Sequence, residues 1–217
     1  MFRRNPSERQ LWLELFGLFV ATPVVVAVFL PPSTMLLVLL LVTVVGMVLL
    51  HRTPGFHWRD LAVGWRQIEW RIVAVFGLLT AAVSFAIVAL VIPDAFLILW
   101  RLNPVAWLVV MALYPVLSAL PQEILFRPLF FRRYASILPH GHAALLLNAG
   151  VFSLAHLLYW NGIVAAMTFA GGLAFAWAYQ VKRSFPLAVA LHAVAGNILF
   201  TVGTGMLFYT GTIVRPF

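Results

Sequence analysis

Long uninterrupted apolar runs constrain this chain more than any other feature of its sequence. A bilayer core of about 30 Å is crossed by about 20 apolar residues in a helix. The sequence predicts seven such spans, at about residues 11–30, 34–50, 71–92, 104–120, 142–160, 162–181 and 186–210. Pro121 is expected to interrupt the fourth span, which then continues as an amphipathic helix to about Ser136. The alternative is that segment 121–138 forms a separate re-entrant or interfacial helix. The predicted fold is therefore an all-α polytopic membrane protein with seven to eight transmembrane helices.

The composition excludes several classes of protein. Of the 217 residues, 64% are hydrophobic and only 9% are charged, whereas about a quarter of the residues of a soluble domain are charged. The mean hydropathy is +1.03. A water-soluble enzyme, a disordered chain and a nucleic-acid-binding domain are therefore excluded, despite a formal net charge of +8. The chain has no cysteine, which excludes disulfides, thiolate metal sites and cysteine nucleophiles.

The distribution of basic residues predicts the topology. With the N-terminus in the cytoplasm and seven spans, the cytoplasmic segments carry Arg3, Arg4, Arg9, Arg52, Arg59, Arg66, Arg71, Arg127, Arg132, Arg133, Lys182 and Arg183. The far side carries only Arg101 and Arg215. The positive-inside rule then predicts a cytoplasmic N-terminus and a C-terminus on the far side. We find no internal repeat or linker, so residues 1–217 are expected to form a single membrane domain. The arginine bias suits a bacterial inner membrane.

Three proton-active side chains are expected at membrane depth, on three separate helices. Ionisable groups within the membrane are costly, so Glu123, His156 and His192 are candidates for a functional site. Asn148 and Asn197 are the other notable polar side chains there. Each has a plainer interpretation when taken alone, as a structural ion pair, a hydrogen bond between helices or a packing contact.

The spacing of these residues adds geometry. Glu123 and Arg127 are four residues apart, so they share a helix face and can pair. A buried arginine beside a carboxylate would keep the carboxylate ionised and oriented. Phe152 and His156 have the same spacing, so the phenyl ring could wall the site and restrict the imidazole.

The order of these motifs resembles the CPBP family of intramembrane proteases, which includes the CAAX prenyl proteases and the bacteriocin-processing or Abi-type proteins. The family pattern is E-E-x-x-x-R, then F-x-x-x-H, then H-x-x-x-N, on three transmembrane helices. The resemblance covers about residues 104–205, the predicted protease core. The matching residues are Gln122, Glu123, Arg127, Phe152, His156, His192 and Asn197.

The chain departs from this pattern at two positions. Gln122 stands where the family has the first glutamate of its pair, and Glu123 is the second, to which the catalytic role is carried over. Asn197 follows His192 by five residues instead of four, and Gly196 occupies the expected asparagine position. At 3.6 residues per turn, Asn197 reaches the site only if a π-bulge or a distortion at the glycine rotates it back.

The resemblance implies an intramembrane endopeptidase of glutamate type. Glu123 would be the general base, and His156 would hold the same water and shuttle the proton. His192, with Asn197, would donate hydrogen bonds to the oxyanion. Arg127 would orient Glu123, Gln122 would bind the substrate backbone or position its helix, and Phe152 would wall the site. The implied substrate is a membrane-attached protein or peptide, cut near its C-terminus or near its anchor.

Three alternatives stay open. Two histidines and a glutamate form a legitimate zinc set, so zinc is the alternative to a mechanism without a cofactor, although no H-E-x-x-H motif is present. A non-catalytic membrane scaffold or immunity protein of the same fold would use the polar residues for packing. A small transporter would usually show repeats across two halves, which this sequence lacks. The expected partners are the substrate and the lipid bilayer, with no nucleic acid, and the sequence does not indicate an oligomeric state.

Overall fold

The structure is a computed structural model that describes residues 6–217, apart from the side chain of Gln67. Its described part is helical and contains no β-strand. The principal helices are α1 (Glu8–Phe29), α2 (Pro32–His51), α3 (Trp70–Val91), α4 (Pro104–Arg133), α5 (His142–Leu154), α6 (Gly162–Gln180) and α7 (Phe185–Val202). A short helix, Ile98–Leu102, lies between α3 and α4, and short 3₁₀ turns occur between α2 and α3, between α3 and α4, between α5 and α6 and after α7.

Six of these helices are long and apolar enough to cross a membrane. The all-α membrane fold predicted from the sequence is therefore confirmed. The helix α5 is the exception, because its 13 residues extend for only about 20 Å at 1.5 Å per residue. The predicted count of seven to eight transmembrane helices accordingly stays a prediction.

Side-chain caps explain where several helices begin. The Asn103 side chain accepts a hydrogen bond from the backbone N–H of Ala106 at the start of α4, at 2.9 Å. The Asn161 side chain accepts from Ile163 and Val164 at the start of α6. Ser184 caps α7 in the same way. These contacts satisfy N–H groups that have no partner within the helix.

The expected interruption at Pro121 is wrong, because α4 runs through this residue to Arg133 as one 30-residue helix. Proline normally breaks a helix because it lacks an N–H group and its ring clashes with the carbonyl four residues earlier. Here a wide π-turn, Pro115–Ala119, directly precedes it, and the N–H of Leu120 bonds the carbonyl of Pro115. The wider turn accommodates the proline ring. Segment 121–133 is thus neither re-entrant nor separate.

Two helices end earlier than the sequence predicts. The fifth predicted span extends to residue 160, but α5 ends at Leu154, so His156 lies in the turn after the helix and not deep within a span. The last predicted span extends to residue 210, but α7 ends at Val202. Gly203 follows with a φ of 126°, and a Cβ there would lie 2.0 Å from the carbonyl oxygen of Ala95. Only glycine permits this close chain approach.

The connections divide between two ends of the bundle. The basic end holds segments 52–69, 134–141 and 181–184, which follow α2, α4 and α6. Three ion pairs tie this end together, namely Arg132–Asp60 at 2.8 Å, Arg133–Glu14 at 2.5 Å and Lys182–Glu69 at 2.8 Å. The hydrogen bond from Arg132 holds the pKa of Asp60 below its usual value.

The opposite end of the bundle holds the C-terminal segment. The backbone N–H of Leu97 bonds the carbonyl of Val202 at 3.0 Å, and Arg215 donates to the carbonyl of Leu30, where α1 has ended. The start of α1 and the C-terminus therefore lie at opposite ends. Arg127 is one of the residues predicted to carry a cytoplasmic charge, but its side chain is fully buried within the bundle. Arg3 and Arg4, from the same count, lie outside the described residues.

The second half of α4 is the centre of the molecule. Its side chains from Leu125 to Phe131 are almost completely buried, among residues of α1, α2, α5 and α6. The outer faces of α2 and α3 instead expose leucine, valine and phenylalanine, as expected for helices that contact lipid. The central part of α4 is also the part that carries Glu123 and Arg127.

Candidate active site

Glu123 and Arg127 form an ion pair that is completely enclosed by protein. Both side chains have 0% exposure, and Arg127 Nε donates to Glu123 Oε2 at 2.8 Å. Arg127 Nη2 lies 3.4 Å from Oε1. The pairing expected from their spacing is therefore present. A buried carboxylate is stable in its charged form only when it has such partners.

Asn148 completes the environment of Arg127. Its amide oxygen accepts from Arg127 Nη1, and its amide nitrogen donates to the carbonyl of Phe126 at 2.8 Å. The guanidinium also lies over the rings of Phe152 and Phe175, at 5.2 and 5.7 Å from their centroids. Asn148 is notable in the sequence as a polar residue within a span, but no motif assigns it a role. The sequence signal for its role is its position four residues before Phe152, which puts it on the same face of α5 as the site.

His192, on α7, contacts the second oxygen of the carboxylate. Its Nδ1 lies 2.8 Å from Glu123 Oε1, and its ring stacks on Phe175 with centroids 4.8 Å apart and an interplanar angle of 11°. Because the carboxylate accepts hydrogen bonds, Nδ1 carries the hydrogen and Nε2 is left as an acceptor. Two residues that are 69 positions apart are thus joined directly.

His156 packs against the same Phe152 ring as His192. The ring centroid of Phe152 is 4.9 Å from that of His156 and 5.6 Å from that of His192. Nδ1 of His156 lies 2.8 Å from the carbonyl oxygen of Phe152. A carbonyl oxygen only accepts, so Nδ1 carries the hydrogen and Nε2 is an acceptor here also. His156 is close to the pair but bonds neither member of it.

Gln122 and Asn197 hydrogen-bond neither Glu123 nor a histidine of the site. Gln122 donates from Nε2 to the hydroxyl of Ser118 at 2.9 Å, one turn earlier on α4. Asn197 donates from Nδ2 to the carbonyl of Met111 at 3.3 Å. The helix α7 is regular through this region, so no bulge turns Asn197 towards His192.

An apolar cavity of about 680 Å³ lies beside these groups. Side chains from all seven principal helices line it, and most of them are leucine, valine or phenylalanine. His156, His192 and Gln122 are among the few polar side chains that reach its wall, whereas Glu123 does not. An acid–base group therefore contacts a space large enough for an extended peptide or an acyl chain.

The arrangement does not fit a three-ligand zinc site. Within residues 6–217, no group of three histidine, aspartate or glutamate side chains is placed to hold a metal ion. The oxygens of Glu123 are occupied by Arg127 and His192, and Nδ1 of His156 is bonded to a carbonyl. A zinc site needs at least three ligand atoms directed at one point.

A comparison with protein families agrees with these features. Residues 102–198 match the model of the family described as type II CAAX prenyl endopeptidase Rce1-like. No curated protein and no solved structure matches the chain significantly. The matched segment contains Glu123, Arg127, His156 and His192. The resemblance to CAAX proteases is therefore confirmed over this segment, and the six long apolar helices make the chain a multi-pass membrane protein.

Proposed function

We propose that this protein is an intramembrane endopeptidase that hydrolyses a peptide bond near the C-terminus of a membrane-attached substrate. The observation that carries the proposal is the direct contact between Glu123 and His192 at the wall of the apolar cavity. This arrangement supplies a base, a group that orients it and an apolar space for the substrate. The family match supports the same reaction class.

Water activation is assigned to the Glu123–His192 pair. The family resemblance implies that Glu123 itself acts on water, but its enclosed carboxylate favours a role through His192, which lines the cavity. Nε2 of His192 takes a proton from water, while Glu123 stabilises the imidazolium that forms. The water oxygen bonds to the scissile carbonyl carbon, and the electron pair of the C=O bond moves to the carbonyl oxygen.

Collapse of this intermediate completes the reaction. The C–N bond breaks and its electron pair stays on nitrogen, which takes the proton from His192. The products are a new carboxyl terminus and a free amine. Nε2 of His156 accepts a hydrogen bond from the attacking water, and Phe152 packs against both imidazoles. Arg127 and Asn148 hold the carboxylate in place.

A scaffold or immunity protein is the second candidate. It is favoured by one observation, the complete pairing of Glu123, Arg127 and Asn148 in the core, since a packing network would also be fully satisfied. The two candidates differ in what Glu123→Gln should do. This variant keeps the shape of the side chain but removes its charge, so a protease loses activity whether or not its stability changes.

Mapping of protein C-termini in the membrane proteome is the decisive experiment. Cells with the native protein are compared with cells carrying Glu123→Gln at matched abundance, and Glu69→Gln, at the basic end, is the control. A substrate that keeps its tail only with Glu123→Gln supports the protease. Identical C-termini in all strains, with folded Glu123→Gln protein, would favour the scaffold.

A further inference from the structure

The cavity wall has acceptors for water but needs a donor for the oxyanion. The carbonyl oxygen of the substrate becomes negative during attack and needs hydrogen bonds from fixed donors. Both histidines present Nε2 as an acceptor, as argued from their Nδ1 contacts. Asn197 is turned towards Met111 on α4. Asn197 is also not part of the cavity wall, so none of these three side chains offers a donor N–H group there.

Most hydroxyl groups at the cavity wall are already committed. A hydroxyl has a single hydrogen to donate. Thr22, Thr80 and Thr168 each donate theirs to a backbone carbonyl, at 2.8 Å in every case. The Tyr159 hydroxyl donates to the sulfur of Met35 at 3.2 Å. Among the described hydroxyl groups of the wall, this leaves Tyr114 and Ser118.

Tyr114 occupies the space one turn beyond His192. Gly196 follows His192 by four residues, on the same face of α7, and has no side chain. A Cβ there would lie 1.9 Å from Cε1 of Tyr114 and 2.6 Å from its hydroxyl oxygen. The ring centroids of Tyr114 and His192 are 6.1 Å apart. The phenol therefore lies where a longer residue at position 196 would place its own polar group.

Polar side chains of α4 extend from the phenol along the cavity wall. Tyr114, Ser118 and Gln122 are spaced by four residues, and all three line the cavity. The amide nitrogen of Gln122 donates to the Ser118 hydroxyl at 2.9 Å. Unlike the threonines of the wall, the Tyr114 hydroxyl donates to no backbone carbonyl among the described residues, so its hydrogen is available to an acceptor in the cavity.

We infer that Tyr114 is a catalytic residue whose O–H group donates a hydrogen bond to the oxyanion. It keeps its proton throughout, and Ser118 and Gln122 line the cavity beside it. This inference rests on the proposed protease function. It also explains why Gly196 is required, since any side chain there would displace the phenol.

Tyr114→Phe tests this role, because it removes the hydroxyl and keeps the ring against Gly196. The substrate is the protein whose tail persists in Glu123→Gln cells, assayed with purified full-length protease in detergent. Loss of one oxyanion donor should lower kcat by about 10²–10³-fold with little change in KM. Tyr134→Phe is the matched control, since Tyr134 is buried outside the cavity, and it should cleave as the native protein does.

A second variant separates catalysis from packing. Tyr114→Ala removes both ring and hydroxyl, and adding Gly196→Asn places an amide donor in the vacated space. The double variant should exceed Tyr114→Ala in kcat by at least tenfold. If Tyr114→Phe keeps the native kcat while Glu123→Gln is inactive, the proposed role of Tyr114 is overturned and the protease function is not. If the native protein shows no cleavage that depends on Glu123, both this inference and the proposed protease function are overturned.

Discussion

At the scale of single residues, the most demanding feature is an arginine with no access to solvent. Removing two charges from water costs several kcal/mol for each ion, and the cost is offset only by close and complete partners. Arg127 has these partners in Glu123, Asn148 and the carbonyl of Phe126, with two aromatic rings beside it. The same contacts give the Glu123 carboxylate one orientation, with an oxygen facing His192.

Arg127→Met should therefore unfold more easily than the native protein. It leaves the charge of Glu123 buried without its main partner, which costs about 3–5 kcal/mol. Thermal unfolding in detergent measures this loss, and Arg66→Met, on an exposed surface, should change stability by less than about 0.5 kcal/mol. Adding Glu123→Gln to Arg127→Met should recover part of the stability but no cleavage. Equal unfolding temperatures of Arg127→Met and the native protein would contradict the expected cost of leaving Glu123 buried without Arg127.

Cleavage should be insensitive to metal removal. The carboxylate oxygens of Glu123 are already bonded to Arg127 and His192, and a zinc ion would have to displace these contacts. Dialysis of the purified protein against a strong chelator, followed by the cleavage assay with and without added zinc, measures this dependence. Activity that disappears with the chelator and returns with zinc would establish the zinc alternative.

At the scale of the helices, α4 and α7 position the site through close contact. Tyr114 on α4 packs directly against the backbone of α7 at Gly196, and the π-turn after Tyr114 lets α4 continue through Pro121 to Glu123. The interface tolerates no added atom at Gly196. By contrast, Gly150 on α5 has no atom within 4 Å of the position a Cβ would take.

Gly196→Ala and Gly150→Ala should consequently have opposite effects. The first forces the Tyr114 ring or α7 to shift, and overpacking of this kind costs about 1–3 kcal/mol. The second replaces glycine within a helix at an open position, where alanine gains about 0.5–1 kcal/mol. Thermal unfolding of the two variants compares them directly. Equal stability of the two would show that α4 and α7 are not in the close contact described.

At the scale of the whole molecule, the helices place the basic end on one side of the bundle and the C-terminus on the other. Segments 52–69 and 181–184 are joined by the pair of Lys182 and Glu69, while Arg215 contacts the far end of α1. The basic end is proposed to face the cytoplasm because positive residues are retained on that side. The proposed location is the inner membrane of a bacterial cell.

The absence of cysteine allows this topology to be tested without background labelling. His57→Cys and Thr212→Cys place a single thiol at the basic end and at the opposite end. A membrane-impermeant maleimide should label Thr212→Cys in intact spheroplasts and His57→Cys only after permeabilisation. The reverse pattern would invert the proposed topology, and labelling of both in intact spheroplasts would contradict opposite sides for the two ends.

The sequence by itself determined the membrane fold, the positions of most helices and the pairing of Glu123 with Arg127. These features depend on local properties, namely apolar run length, capping residues and the four-residue spacing of a helix. They can be found without knowing how the helices pack. Sequence reasoning failed at Pro121 and at His156, where a wide turn and an early helix end depend on neighbouring helices.

Only the tertiary structure decided which polar groups meet. It joined His192 to Glu123, enclosed Arg127 with Asn148, turned Asn197 towards Met111 and placed Tyr114 beside Gly196. Each of these contacts links residues on different helices or depends on the rotation of one helix against another. That rotation is set by the packing of many apolar side chains together, so no single spacing in the sequence contains it.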